Sequence, residues 1–288
     1  MWKPSGLKID MNPIANGSKP KVALNWRELY EYKDLFFFLV WRDIKVLYAQ
    51  TVLGFGWAIL RPVFTMLVFS LVFGRLANMP SDGLPYPLFA YAGLLPWLYF
   101  STAFTRSAES LLSNAKLLSK IYFPRIIIPF TPVLAGLVDF AISSLVLVCL
   151  MAWYGVYPDA NIVLFPLLVL LMLITSVGMG LWLSALAIQY RDIRHANQFL
   201  SQLLMYTAPV VWPASLIAEN FPEYSQVIRS IYGLYPMAGV IEGFRSVLLG
   251  SGSVPWDLII SGSFSAILIL LTGIVYFRKK EKIFADVA

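Results

Sequence analysis

Apolar residues in this chain fall into long blocks, and polar residues collect between them. A helix needs roughly 20 mostly apolar residues to cross the hydrocarbon of a bilayer. Six blocks reach or approach that length: residues 57–77, 87–104, 126–153, 163–188, 199–217 and 256–277. The second is the shortest and contains Pro96, and the fifth contains Pro209 and Pro213. Both are expected to kink or partly unwind, which a membrane tolerates where neighbouring protein satisfies the freed backbone groups. The third is long enough to enter with a bent first turn at Pro129 and Pro132.

Three shorter patterns lie outside these blocks. In residues 25–50, Asn25 and Glu28 have the spacing of a helix-capping pair. Asp34 then precedes the apolar run 35–41, and Arg42, Asp43 and Lys45 follow it. Such a short, aromatic, charge-flanked helix suits the membrane–water boundary. In the segment 107–125, Asn114 can cap a short helix that Pro124 ends. Leu117, Leu118 and Ile121 then share one face, while Lys116 and Lys120 lie four apart on another. Periodicity leaves open whether that helix seats in a partner or rests on lipid. In residues 218–253, Met237, Val240, Ile241, Phe244, Val247 and Leu248 form an apolar stripe at helical spacing. Glu242 and Arg245 can pair at i,i+3, Pro236 opens the segment and Gly250 follows it. The expected form is a helix dipping into one face of the membrane, paired with another drawn from residues 222–231.

Composition settles the class. Of the 288 residues 59% are hydrophobic and 13% charged, against about 45–50% apolar and about 25% charged in a soluble domain. A soluble surface, an intrinsically disordered chain and a secreted disulfide scaffold are all excluded, the last because Cys149 is the only cysteine. An all-α polytopic membrane protein remains. The first 24 residues are polar, contain three prolines and are not expected to be a cleavable signal peptide. Of the 22 Lys and Arg residues, 18 fall on the side of the membrane that holds the termini. The positive-inside rule therefore places both termini in the cytoplasm. The net charge of +6 is this asymmetry, spread over separate segments, and does not indicate a nucleic-acid partner.

Catalytic equipment is missing from the sequence. There is no Gly-Lys dipeptide and hence no P-loop. His195 is the only histidine, so a His-rich metal site or an HExxH helix is excluded, and its loop position suggests a solvated side chain. Charge within the blocks is also sparse. Asp139 lies near the middle of the third and is best read as hydrogen-bonded to a neighbouring helix, since an ionised acid there costs about 2.5–3.5 kcal/mol. Arg61, near the start of the first, can snorkel to the interface or line the mouth of a pathway. Trp97, Tyr99, Phe100, Tyr206 and Trp212 lie close to prolines. Aromatic faces suit the C–H faces of sugars, although packing against neighbouring helices is the commoner use of any single one.

Residues 39–48 (LVWRDIKVLY) running into 53–57 (LGFGW) and 60–62 (LRP), residues 92–97 (AGLLPW), 114–125, Tyr190-Arg191-Asp192 leading to 208–213 (APVVWP), and 235–245 occur in an order and spacing that resemble one family. Together they are similar to the permease subunits of ABC-2-type polysaccharide exporters, the Wzm-like and TagG-like group. The resemblance implies an ABC type-2 exporter permease fold of six transmembrane helices. Residues 1–24 would be a polar cytoplasmic extension, 25–50 an amphipathic interface helix, 57–277 the transmembrane domain and 278–288 a basic cytoplasmic tail. It implies a homodimer in the bacterial inner membrane, with the channel between two copies and two copies of a separate ATPase below. That partner would bind ATP and Mg, so no cofactor and no metal belong to this chain. Residues 114–125 would form the coupling helix, with Asn114, Lys116, Leu117, Leu118, Lys120, Ile121, Tyr122 and Arg125 facing the ATPase. Residues 218–250 would form outer gate helices carrying Glu242, Phe244 and Arg245. Arg61, Trp97, Tyr99, Phe100, Tyr206 and Trp212 would line the path of a lipid-linked polysaccharide, O-antigen first among the candidates. A drug-exporting ABC-2 permease, an ion-coupled secondary transporter and a glycan-modifying membrane enzyme are the rival readings.

Overall fold

The computed structural model describes residues 30–49, 51–190, 192–220 and 222–281, and among these the chain is helical, without a strand. Helix α1, Lys33–Tyr48, has Asp34 in its first turn and Lys45 in its last, both complementing the helix dipole. Leu39 is buried, whereas Phe37, Phe38 and Trp41 are exposed. The Asn25–Glu28 cap, the extension before it and residues 282–288 lie outside the described residues.

Helix α2, Gly56–Phe69, passes through Pro62 and continues into a π-helical stretch, Ser70–Leu76. The chain returns as α3, Tyr86–Ser113. It leaves again as α5, Ile127–Ala135, and α6, Leu137–Tyr154, after the single turn of α4, Ala115–Leu118. A 3-10 stretch, Ala160–Leu164, leads into α7, Phe165–Gln189. Helix α8, Ile193–Thr207, is followed by α9, Ser215–Asn220, α10, Ser225–Gly233, and α11, Pro236–Leu249. Helix α12, Trp256–Lys280, returns to the end of the bundle that carries Lys116 and Lys120, where Arg125 donates to the Glu281 carbonyl at 3.3 Å. We refer to this as the basic end.

Among the described residues, four stretches are long and apolar enough to cross a membrane: Gly56–Leu76, Ile127–Tyr154, Ala160–Gln189 and Trp256–Lys280. The other two apolar blocks take different forms. Helix α3 has the length, with 28 residues running unbroken through Pro96, but carries Arg106 and Glu109 in its last third. Phe104, Ser107, Ala108 and Leu111 are all buried at helical spacing, so packing carries the helix into what the charges mark as a loop. The fifth block is divided. Its helix begins at Ile193, in the polar gap between the fourth and fifth apolar blocks, because Ile193, Asn197, Leu200 and Leu204 make one inward stripe that the exposed Arg194 and His195 disguise. It stops at Thr207 because Pro209 forces Ala208 into an extended conformation (φ −75°, ψ 144°).

At the centre, α7 packs on α3, α11 and α12, and α11 packs in turn on α3 and α12. α7 and α12 touch backbone to backbone where Gly178 faces Gly273. A Cβ on Gly178 would sit 2.9 Å from the Leu270 nitrogen, and one on Gly273 2.8 Å from the Gly178 carbonyl. Small residues serve this purpose in membranes, where close van der Waals contact replaces the hydrophobic drive between helices. By contrast α2 lies at the edge, with 11% of its apolar window buried against 39% for the segment containing α7.

Helix α11 is enclosed on every side. The stripe of Met237, Val240, Ile241, Phe244, Val247 and Leu248 is buried, and so are Ala238, Gly239, Gly243, Arg245 and Ser246 on its other faces. Periodicity predicts only the apolar stripe, and the helix is enclosed by its own chain on its other faces as well. α10 and α11 form a hairpin whose tip pushes along α12. Gly233 abuts Ser261, Pro236 abuts Gly262, Gly239 abuts Leu258, and Gly250 returns to Asp159.

Candidate functional site

Two polar clusters sit within this apolar frame, one at each end. The first surrounds a cavity of about 160 Å³ at the basic end, lined by Arg61 and Trp57 of α2, Tyr99 and Arg106 of α3, and Asp139 and Ser143 of α6. Arg106 also lines an adjoining cleft of about 610 Å³ bordered by Arg42, Asp43, Glu109 and Asn114. Asp139 accepts a hydrogen bond from the Tyr48 hydroxyl at the end of α1. Desolvation, and then the Asp139 carboxylate beside it, hold that hydroxyl well above the usual tyrosine range, so Tyr48 acts as the donor. Asp139 thus sits against a neighbouring helix, in the first turn of α6.

Helix α1 is bolted to the kinked α5–α6 unit at two points. Asp43 receives Arg42 at 2.8 Å through Oδ1, and its Oδ2 lies 2.8 Å from the Thr131 hydroxyl. That hydroxyl is also 3.0 Å from the Ile128 carbonyl, which Pro132 leaves without its helical donor. One proton serves both acceptors in turn. Thr131 lies before the break at Gly136 and Asp139 after it. Movement of α1 therefore pulls on both sides of the bend.

The segment 114–125 is less helical than its sequence implies. Asn114 does not cap α4 with its side chain, which instead donates back to the Ser110 carbonyl at 2.8 Å and closes α3. Because α4 ends at Leu118, the expected shared face of Leu117, Leu118 and Ile121 is broken. Leu117 and Leu118 pack against the core, while Ile121 is 50% exposed and Tyr122 86% exposed. Phe123 and Pro124 are buried and anchor the turn, and Arg125 ties it to the end of α12. The outward surface is therefore Lys116, Lys120, Ile121 and Tyr122.

At the opposite end Arg245 is fully buried. Its guanidinium donates to Glu242 at 3.1 Å and to the Val210 carbonyl at 2.6 Å, reaches the Phe89 carbonyl at 3.3 Å, and lies 3.5 Å from the Phe89 ring centre. Glu242 also accepts the Ala214 N–H at 2.9 Å. This knot serves the non-helical backbone of residues 208–214, whose polar groups lost their helical partners at Pro209. Gly93 makes room for it, since a Cβ there would lie 2.5 Å from Arg245 Nη2. Tyr86 adds a further strut by donating to the Val211 carbonyl at 2.8 Å.

The aromatic candidates separate. Trp97 and Phe100 are buried in the chain's own core, in a run of tilted ring contacts that continues to Phe104. Phe244 lies between Phe140 and Phe165 in the same interior. Within this chain all three are therefore core packing residues. Tyr99 is buried and donates to the Val133 carbonyl at 2.7 Å, although it borders the cavity. Tyr206 is 79% exposed, and Trp212 is half-buried against Tyr232. Sequence reasoning missed Arg106 and Tyr48. The signal for Arg106 was the buried spacing that extends α3. None existed for Tyr48, whose partner is 91 residues away.

Residues 34–249, three quarters of the sequence, match the ABC-2 type transporter family. The chain belongs to that family. It is therefore a multi-pass membrane protein and a transporter subunit, and its family works with an ATPase subunit. It is 29% identical over 263 residues, 90% of this chain and 97% of the relative, to the O-antigen export system permease protein RfbA of Myxococcus xanthus. It is 26% identical to the protein of the same name in Klebsiella pneumoniae, over 88% of this chain and 95% of that one. It is also 25% identical to the polysialic acid transport protein KpsM of Escherichia coli, over 84% and 91% of the two chains.

Proposed function

We propose that this chain is the transmembrane permease subunit of an ABC exporter that moves a lipid-linked polysaccharide, most simply an O-antigen, across the bacterial inner membrane. The observation carrying this reading is the full-length similarity to permeases named for O-antigen and polysialic acid export. Two chemically different glycans among the relatives favour a polymer over a drug as cargo.

In this reading the chain crosses the membrane six times, with α3 and the divided α8 segment added to the four more apolar spans. Both termini face the cytoplasm with the basic end. Two copies enclose the channel and two ATPase subunits, holding ATP and Mg, dock below. Lys116, Lys120, Ile121 and Tyr122 meet the ATPase, while α10 and α11 gate the outer side. Closure of the ATPase pair pushes on the 114–125 turn. Its tie to α12 through Arg125, and the twin bolts from α1 to the α5–α6 bend, carry that push into the bundle. The channel is expected to use the exposed faces of α2 and α8, including Tyr206. Deleting the gene tests the reading: loss of the long surface glycan, restored by the chain supplied in trans, is the expected result. An unchanged glycan with altered drug sensitivity would overturn it.

A further inference from the structure

Helix α2 is wound in two ways along its length. Gly56–Phe69 is α-helical, and the seven residues Ser70–Leu76 continue it as π-helix. The Ala77 N–H reaches back to the Val72 carbonyl at 2.9 Å. π-Helix occurs mostly as single turns inside α-helices, frequently at functional sites. Its hydrogen bonds close one residue later than those of an α-helix, so such a stretch stores one residue of register. Each end of α2 is gripped. Beyond the basic end, Gly74 lies against the Tyr86 ring, where a Cβ would come within 2.8 Å, and Tyr86 is itself fixed to the Val211 carbonyl. At the basic end Phe55, one residue before α2, stacks on Tyr48 of α1. Gly54 precedes it at φ 52°, with no atom within 4 Å of where a Cβ would stand, so that connection can swivel.

The inward stripe of α2 is Ala58, Pro62, Met66 and Ser70, of which Pro62 and Met66 are buried. Two details mark this register. Pro62 leaves the Ala58 carbonyl without its helical donor, and the Ser143 hydroxyl of α6 donates to it at 2.9 Å. At the other end of the stripe the Ser70 hydroxyl oxygen is buried and has no hydrogen-bond partner among the described residues, which is unfavourable. One residue on lies a second stripe, Ile59, Val63, Leu67 and Leu71. It is wholly apolar, and Ile59, Leu67 and Leu71 are exposed.

We propose that α2 has two registers, exchanged when Ser70–Leu76 passes from π to α while the end at Gly74 and Tyr86 stays anchored. The basic-end part then turns by one residue, about 100°. Each of its residues takes the place of the one before it, so Ile59, Val63 and Leu67 replace Ala58, Pro62 and Met66, and Ser70 gives way to Leu71. The exchange loses the Ser143 bond, because the Ile59 carbonyl is held by the Val63 N–H. It relieves the stranded Ser70 hydroxyl and the π winding. A loss and a gain of the same kind suit a helix with two discrete positions. Arg61 leaves its cavity and Pro62 takes its place. The Tyr48–Phe55 stack makes α1 the handle. Only the driving step, closure of the ATPase pair, rests on the export reading.

The test uses the full chain with its ATPase in nanodiscs, with Cys149→Ser removing the only cysteine. Oxidative cross-linking is compared for Ala58→Cys/Ser143→Cys and Ile59→Cys/Ser143→Cys, without nucleotide and with the ATPase trapped by ATP and vanadate. Both pairs lack the Ser143 catch equally. Without nucleotide the first pair should link well and the second poorly. Trapping should lower the first at least threefold and raise the second in its place. Absence of the 58–143 link without nucleotide, or yields that trapping leaves unchanged, would overturn the proposal. So would loss of the first link without gain of the second, the mark of a helix moving as a rigid rod. Deleting Val72 removes the stored residue. That chain should melt at or above the wild-type temperature and keep the 58–143 link under both conditions; if it fails to fold, or still exchanges links, the two registers are excluded. Glycan display in cells is scored separately: a glycan that persists when the gene is deleted strikes the export reading alone.

Discussion

The two ends of this molecule use arginine in opposite ways. At one end Arg245 is fully buried, with a carboxylate, backbone carbonyls and an aromatic face around it. At the other, Arg61 and Arg106 line a cavity and have no bonded partner among the described residues. Burial of a charge is tolerated only when the surroundings replace its water. The first site replaces it with protein and is therefore fixed. The second needs no such replacement, because both of its arginines are exposed and Asp139 shares their cavity. The difference separates a closed joint from an open one.

Replacing Arg245 should have the largest effect on stability. Arg245→Leu leaves Glu242 buried opposite an apolar group and removes the donor from Val210, so a loss of about 3–5 kcal/mol is expected. The purified chain should melt well below wild type, and limited proteolysis should cut first within residues 208–235. An Arg245→Leu protein as stable as wild type would mean that the knot does not hold the hairpin. Gly93→Ala probes the same joint more gently. The added methyl meets Arg245 Nη2 and, at 3.1 Å, the Val210 carbonyl, an overpacking expected to cost about 1–3 kcal/mol.

Tyr48→Phe carries the comparison to the other end. It keeps the stacking on Phe55, whose ring centre is 3.9 Å away, and deletes one hydrogen bond to a charged acceptor, worth about 1.5–3 kcal/mol when shielded and less here because Tyr48 is only partly buried. The variant should still fold, with its melting temperature lowered modestly because the Asp139 carboxylate loses its Tyr48 donor. The pH dependence follows from the direction of the shift. The Tyr48 hydroxyl titrates higher in the folded chain than its ordinary value of 10.0, so its contribution is complete below that pH and lost only above the raised value. The melting-temperature difference between wild type and Tyr48→Phe should stay constant from about pH 7 to about pH 9.5. A difference that decays within that interval would show Tyr48 to be unpaired.

Much of the frame was legible because hydrocarbon solvent demands long apolar blocks, and those blocks coincide with α2, α5–α6, α7 and α12. The Glu242–Arg245 pair was legible from local spacing, as was a break near Pro209. What could not be read was the environment of each face. The stripe on α11 predicts one apolar side, but its other sides, with Gly239, Gly243 and Arg245, are enclosed too. Trp97 and Phe100 look like a sugar platform and are core. Tyr48 and Asp139 meet across 91 residues of chain, a contact that no local pattern encodes. Arg106 was hidden for a related reason: charge suggested a loop where buried Ser107, Ala108 and Leu111 extend a helix.

The smallest expected change in stability comes from the exposed turn, and it separates docking from packing within a few residues. Ile121→Asp and Tyr122→Asp alter side chains that are 50% and 86% exposed, so melting should shift by no more than about 0.5 kcal/mol in equivalent stability. Leu117→Asp, four residues earlier than Ile121, places a carboxylate against the core and should destabilise the chain by more than about 1 kcal/mol. Copurification of the ATPase decides the assignment. The Ile121 and Tyr122 variants should lose the partner while remaining as stable as wild type, whereas Leu117→Asp should lose partner and stability together. Retention of the ATPase by a stable Ile121→Asp/Tyr122→Asp chain would move the docking surface away from this turn, because its exposed apolar pair would then have nothing to meet.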